Sequence, residues 1–252
     1  MCLIGIRIDE DGGLLVAANR DEFADRPTLP MHWWNEGILA GKDLQAGGTW
    51  LGITRTGRFA AVTNVRDPSI KENPVPRASR GHLVTEYLRG ATSPDAFINS
   101  LANELEAPSP FNLIVGRVDS DRTQLYWFGG RTHELQLLEP GVHTLSNAEI
   151  NTPWPKSRSL HQALQDLGHD DAFDSLTDVM RQRRQADDHE LPATGVPRDW
   201  EKRLSAICIT GDRYHTRSTS MIQIRSGSVN ARELSWQPDG QLAQDRTETF
   251  QI

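Results

Sequence analysis

The sequence predicts an α+β layered sandwich in which antiparallel sheets are flanked by pairs of helices. Three observations carry that expectation. Strand-like runs recur along most of the chain and are separated by Gly, Asp or Pro. Apolar residues at helical spacing fall in two places, each holding two helices in succession. The order of strands, helix pair, strands, helix pair and strands does not alternate as parallel βαβ units would.

In chain order the strand-like runs are 3–8, 14–19, 50–54, 58–65, 112–118, 124–128, 134–138, 142–146, 204–210, 220–224 and 229–236. The first two meet at Asp11-Gly12-Gly13, a turn sequence that predicts a hairpin. The first helix runs from Ser79 to Arg89, with Leu83, Val84, Tyr87 and Leu88 at helical spacing and Gly90 as its stop. Ser93-Pro94 supplies a cap and a first-turn proline for the second, which ends at Glu104. The second pair spans Lys156 to Leu167 and Asp171 to Arg183. Ala186 to Arg198 reads as a polar, proline-containing loop. No internal repeat or low-complexity tract interrupts residues 1–252, which read as one domain.

Composition narrows the function classes. The chain has 37% hydrophobic and 24% charged residues, ordinary values for a globular protein. Its net charge of -7 argues against a nucleic-acid partner, which calls for a basic patch or stripe. The compact basic cluster Arg181, Arg183 and Arg184 is explained by a solvated helix end. No apolar stretch approaches the ~20 residues that span a bilayer, and the N-terminus lacks a basic region followed by an apolar core. A cytoplasmic location is therefore expected, with both cysteines reduced and Cys208 placed in the core by its apolar run Leu204 to Ile209. The 8 histidines show no pair at metal-ligand spacing on a clear helix, so neither a metal nor a cofactor is expected.

Two short segments carry the chemistry. Cys2 follows the initiator methionine, so trimming Met1 would place a thiol and a free α-amine on one residue. Their ordinary pKa values, roughly 8.5 and 7.7–8.0, are close enough for the amine to take the thiol proton at a cost of about 1 kcal/mol. The second segment, Asn19-Arg20-Asp21-Glu22, ends the return strand of the hairpin and comes back alongside Cys2. Alternation puts Cys2 on one face with Ile4, Ile6 and Ile8, and puts Leu15, Ala17, Asn19 and Asp21 on a face opposite Arg20. Asp21 is accordingly ranked above Arg20 for reaching Cys2. Cys2 is expected to be the reactive thiol, with a pKa below the free value.

With Met-Cys at its start and Asn19-Arg20-Asp21-Glu22 in place, the chain resembles the NRDE family, which includes the transport and Golgi organisation proteins. Further motifs extend the resemblance over nearly the whole length: Gly47-Gly48-Thr49-Trp50-Leu51-Gly52, Thr63-Asn64, Ser79-Arg80-Gly81, Phe111 to Gly116, Leu145-Ser146-Asn147, Pro153-Trp154-Pro155-Lys156 and Thr216-Arg217-Ser218. The family is similar in turn to N-terminal nucleophile hydrolases of the choloylglycine hydrolase and penicillin V acylase type. That resemblance implies a four-layer αββα sandwich. It also implies Cys2 as nucleophile, Asp21 holding the α-amine, Asn64 and Asn147 near the oxyanion, and Arg217 beside the thiol. One element departs: the acylases' site arginine precedes the aspartate by several residues, whereas here Ala18 stands in that region and Arg20 is adjacent to Asp21.

The reading that follows is a cysteine N-terminal nucleophile amidohydrolase that cleaves a non-peptide C–N bond of a small acylated substrate. Trp33 and Trp34 are the candidates for an apolar substrate wall. The alternative is a trafficking or binding protein without turnover that handles a lipid or haem-like ligand.

Overall fold

The computed structural model describes residues 2–67, 79–105, 109–168 and 172–252, so Met1 and Asp171 lie outside the described residues. The described residues form thirteen strands and five helices: β1 Cys2–Ile8, β2 Leu14–Phe23, β3 Thr28–Trp33, β4 Ile38–Asp43, β5 Leu51–Thr54, β6 Arg58–Asn64, α1 Arg80–Arg89, α2 Pro94–Glu104, β7 Phe111–Val118, β8 Thr123–Gly129, β9 Glu134–Leu138, β10 Gly141–Leu145, α3 Pro155–Asp166, α4 Ala172–Met180, α5 Arg198–Leu204, β11 Tyr214–Arg225, β12 Ser228–Trp236 and β13 Leu242–Gln251. They assemble into two antiparallel sheets, ordered β10-β1-β2-β11-β12-β13 and β3-β4-β5-β6-β7-β8-β9.

Three apolar clusters define the layers. The central one joins Ile4, Ile6, Val16 and Ile222 of the first sheet to Ile53, Phe59, Ile114 and Trp127 of the second, so the sheets pack face to face. A second cluster buries Val84, Tyr87, Ile98 and Leu101 of α1 and α2 on the outer face of the second sheet. The third places Leu160, Leu164, Leu176 and Met180 of α3 and α4 on the outer face of the first, against Leu3, Leu15, Ala17 and Met221. The architecture is therefore an α+β, four-layer αββα sandwich. No helix among the described residues is long and apolar enough to cross a membrane.

The β1–β2 hairpin closes as its turn sequence predicts. Asp9 N–H donates to Gly13 O at 2.9 Å, and Gly12 takes the left-handed backbone (φ 86°) that glycine tolerates best. The register then runs from Ile8 opposite Leu14 to Cys2 opposite Arg20. Both strands are buried on both faces, Ile4, Ile6 and Val16 toward the other sheet and Leu3, Leu15 and Ala17 toward the helices. Gly5 leaves room for α3 to lie directly on β1, since a Cβ at Gly5 would meet Leu164 at 2.6 Å and Leu160 at 2.8 Å. Arg7 reaches the end of the same helix, its Nη1 donating to Leu164 O at 3.1 Å and Leu167 O at 2.8 Å. Those carbonyls would otherwise lack partners at a helix C-terminus.

Helices α1 to α4 match the four expected within a few residues at their ends. Segment 204–210 is not a strand. Its apolar residues Leu204, Ala206 and Ile209 form a small cluster with Tyr214, and its backbone bonds to neighbouring segments: Cys208 N–H donates to Gln182 O and Thr216 N–H to Ile209 O, both at 2.9 Å. Strands β3, β4 and β13 and helix α5 have no counterpart in the sequence expectation.

The close seating of α3 on β1 gives a stability test. Gly5→Val should destabilise by about 1–3 kcal/mol, as inserted carbons do in a packed interior. The denaturant midpoint measures it, and an unchanged midpoint would mean that α3 can shift away from Gly5 without loss.

Candidate active site

The hairpin register decides which side chains meet at the start of β1. Residues directly opposite in an antiparallel pair share a face, so Cys2 and Arg20 both face the second sheet. Asn19 and Asp21 face the helix layer instead. The register makes Arg20 the cross-strand neighbour of Cys2, so both Asp21 and Arg20 act on the thiol, Asp21 the more strongly. Asp21 still acts on the thiol from the side, and its backbone N–H hydrogen-bonds it.

The Asn-Arg-Asp-Glu segment divides into separate tasks. Asn19 is fully buried and ties the layers together. Its amide nitrogen donates to Met180 O and Ile207 O, both at 2.9 Å, while Thr219 Oγ1 donates to its Oδ1 at 2.6 Å. Arg20 projects into a cavity and lies 3.7 Å from both Glu22 and Asp43. Asp43 in turn pairs with Arg26 at 2.7 Å and accepts from Gln45 and Ala46 N–H. Burial opposes ionisation of Asp43, yet the Ala46 N–H and Arg26 hold it below the usual carboxylate range. Asp21 is 1% exposed; Thr216 Oγ1 donates to its Oδ1 at 2.6 Å, and Tyr214 Oη donates to its carbonyl at 3.1 Å.

Asn64 ends β6 and lines the same cavity as Cys2. Asn147, just after β10, stands behind it and donates through Nδ2 to Asn64 O at 2.9 Å. Ser146 Oγ donates toward Cys2 O at 3.2 Å, Thr63 Oγ1 donates to Ser146 O at 2.7 Å, and Arg66 N–H donates to Asn147 O at 2.8 Å. These bonds stitch the start of β1 and the end of β6, which belong to different sheets, to one loop. Asn64 is therefore placed at the cavity wall by Asn147.

Arg217 sits at a bulge between Thr216 and Ser218 on β11. Its Nη1 donates to the carbonyls of Phe23, Ala24 and Arg26 at 2.8, 3.1 and 3.1 Å. The guanidinium clamps the turn after β2 at the edge of the cavity that Cys2 borders, and Arg20 is a positive side chain that acts on the Cys2 thiol. Trp34 is buried beneath α1, and Trp33 packs on Phe250 with Arg55 stacked 3.8 Å from its ring. Neither borders the cavity; Trp50 does.

That cavity measures about 1360 Å³. Cys2, Arg20, Asp21 and Asn64 are among the residues that line it, with Trp50, Val62, Leu83, Leu101 and Phe111 supplying apolar surface. Glu233 is a buried carboxylate on its far side, accepting from Met31 N–H at 2.6 Å and Ser220 Oγ at 3.0 Å. Among the described residues no group of three or more His, Cys, Asp or Glu side chains could hold a metal ion.

The electrostatics differ from the sequence expectation. Burial pushes the Cys2 thiol up from its ordinary value; the N-terminal charge and Arg20 pull it down, and Asp21 adds to the rise. Burial also pushes the Asp21 carboxyl up, against the pull of Lys156, the N-terminal charge and Thr216. Lys156, 3% exposed, has no role in the sequence reading, although it ends the motif Pro153-Trp154-Pro155-Lys156. Its signal was local: a lysine in the first turn of a helix that has no acidic residue there. Arg66 and Glu201, 7% and 2% exposed, form a buried ion pair of 2.6 Å beside it.

The family model for Transport and Golgi organisation 2 matches residues 1–238. The chain belongs to that family. Transport and Golgi organization protein 2 homologs from Homo sapiens and Bos taurus are 30% and 29% identical to it. The human alignment covers 100% of this chain and 99% of the relative, and the bovine one 93% of each. A solved Caenorhabditis elegans N-acylethanolamine-hydrolyzing acid amidase ortholog aligns with a TM-score of 0.49 at 10% identity, over 87% of this chain and 92% of that one.

Accessibility and clamping give separable outcomes. Iodoacetamide should modify Cys2, on the cavity wall, ahead of Cys208, which is buried behind Thr216 and Asp21. Arg217→Ala should lower stability by about 1–3 kcal/mol through the loss of charge-assisted bonds to the turn carbonyls, with Cys2 labelling little changed. Faster modification of Cys208, read by peptide mass, would place the open thiol elsewhere.

Proposed function

We propose that this family member is a cysteine N-terminal nucleophile amidohydrolase acting on a small acylated amide. The observation that carries the reading is the position of Cys2. It opens a buried strand yet borders a large cavity that Arg20 and Asn64 also line, with the Asp21 carboxylate buried on the other face of β2.

The chemistry assigned to these groups balances as follows. After removal of Met1, the α-amine of Cys2 takes the thiol proton, and the sulfur forms a bond to the amide carbonyl carbon. The side chain of Asn64 and the charge of Arg20 stabilise the oxyanion; a single donor of this kind contributes roughly 2.7–4 kcal/mol in well-studied enzymes. Collapse breaks the C–N bond, and the leaving amine takes the proton held by the α-ammonium. Water then attacks the thioester, gives the carboxylic acid and restores the thiol. Asp21 orients the ammonium, because a carboxylate stabilises that form. The apolar wall from Trp50 to Phe111, rather than Trp33 and Trp34, is assigned to the acyl group.

A panel of N-acyl amides, with acyl-amino acids and acyl-lactones included, tests the proposal. Intact mass should show loss of Met1, and turnover should be accompanied by an acyl adduct on Cys2. Cys2→Ser should cut turnover severely, since a hydroxyl is a weaker nucleophile and the terminal amine a weak base for it. A trimmed, folded protein that forms no adduct, turns over none of the panel and binds lipid or haem equally well as Cys2→Ala would replace the hydrolase with a binding function.

A further inference from the structure

Lys156 occupies a position that its own helix does not favour. It lies in the first turn of α3, where the positive end of the helix dipole and the free N–H groups disfavour a cation, and that turn holds no acidic residue. It is also 3% exposed, and a buried ammonium is costly unless other charges compensate it. The compensation comes from the sheet beneath.

The packing of α3 fixes where Lys156 arrives. The C-terminal end of the helix is held over Arg7, and Leu164 and Leu160 sit on Gly5. One turn nearer the helix start, about 5 Å along its axis, comes Lys156, at the Cys2 end of β1. The face of β2 turned toward the helix layer carries Leu15, Ala17 and Asn19, and its next member is Asp21. The charged and titratable groups around Lys156 are Asp21 on β2, Cys2 on β1, Arg66 after β6 and Glu201 on α5. Arg66 and Glu201 are paired with each other and largely offset one another at a distance. Asp21 and Cys2 remain.

We infer that Lys156 is the positioning cation of this site: as ammonium it holds Asp21 ionised and favours the Cys2 thiolate, so the reactivity of Cys2 follows the charge state of Lys156. Burial lowers the Lys156 pKa to about 8, with Asp21 and Cys2 acting to raise it. The cation is therefore mostly present at pH 7 and fades as the pH rises through about 8, the range in which a thiol begins to ionise. Thiol and ammonium then titrate as a coupled pair. The inference rests on the proposed function only in taking Cys2 as the reactive group.

The test is the rate of iodoacetamide alkylation at Cys2, read by peptide mass between about pH 6 and pH 10, for wild type, Lys156→Met and Lys156→Arg. Lys156→Met should slow alkylation at pH 7 by about tenfold, the change in thiolate fraction that one pKa unit gives. Lys156→Arg keeps its charge throughout, so it should retain the rate at pH 7 and bring the apparent thiol pKa below that of wild type. The wild-type profile should be broader than a single titration. Identical profiles in the three proteins overturn the inference, and so does a single-group wild-type curve if neither variant folds. Labelling needs no substrate, so a protein that turns over no amide still decides this question.

Discussion

The register between β1 and β2 is the constraint on which the rest depends. Side chains alternate with a period of two, so a slip of one residue exchanges the two faces of a strand. Here that exchange would send Cys2 and Arg20 under the helices and Asp21 into the space between the sheets. Both faces of both strands are buried, so neither the apolar series Ile4, Ile6, Val16 nor the series Leu3, Leu15, Ala17 tolerates the swap. The turn at 9–13 sets the register, and the packing on both sides holds it.

Around that hairpin the layers are joined by buried polar side chains as much as by apolar ones. Asn19 satisfies two carbonyls outside any sheet, those of Met180 and Ile207, and so docks the end of α4 and the 205–213 segment on β2. Asn112 does the equivalent on the other sheet, donating to Thr63 Oγ1 and Ala148 O and accepting from Trp127 Nε1. Such groups stabilise only when fully bonded. Their placement here fixes the 205–213 segment on one sheet and the loop that carries Asn147 on the other.

Much of the fold was legible because its strongest signals are local. The turn at Gly12, the proline-led helices and the alternating strands all announce themselves within a dozen residues. The strands missed are those whose sequences lack an apolar alternation: β13 reads Leu-Ala-Gln-Asp-Arg-Thr-Glu-Thr-Phe-Gln, and of these only Phe250 is buried. Segment 204–210 failed in the opposite way, since it is apolar because it is covered on all sides, and burial without a ladder looks like a strand. In the candidate site, Cys2, Arg20, Asp21 and Asn64 converge, but the face shared by Cys2 and Arg20 follows from counting across the hairpin from Ile8 opposite Leu14. Arg217 shows the limit of such reading. An arginine beside a thiol and an arginine clamping a turn have the same sequence, and the bulge between Thr216 and Ser218 decides between them.

Among the described residues the buried charges of this site act on one another, and that distribution explains why the thiol is not simply activated. Two unit charges 4 Å apart interact by about 4 kcal/mol at the effective dielectric of a partly buried site, which is comparable to the cost of burying either. Asp21 compensates Lys156, yet the same carboxylate opposes a thiolate at Cys2. Arg20 favours that thiolate but is shared with Glu22 and Asp43 across the cavity. A resting thiol raised by burial is the consequence.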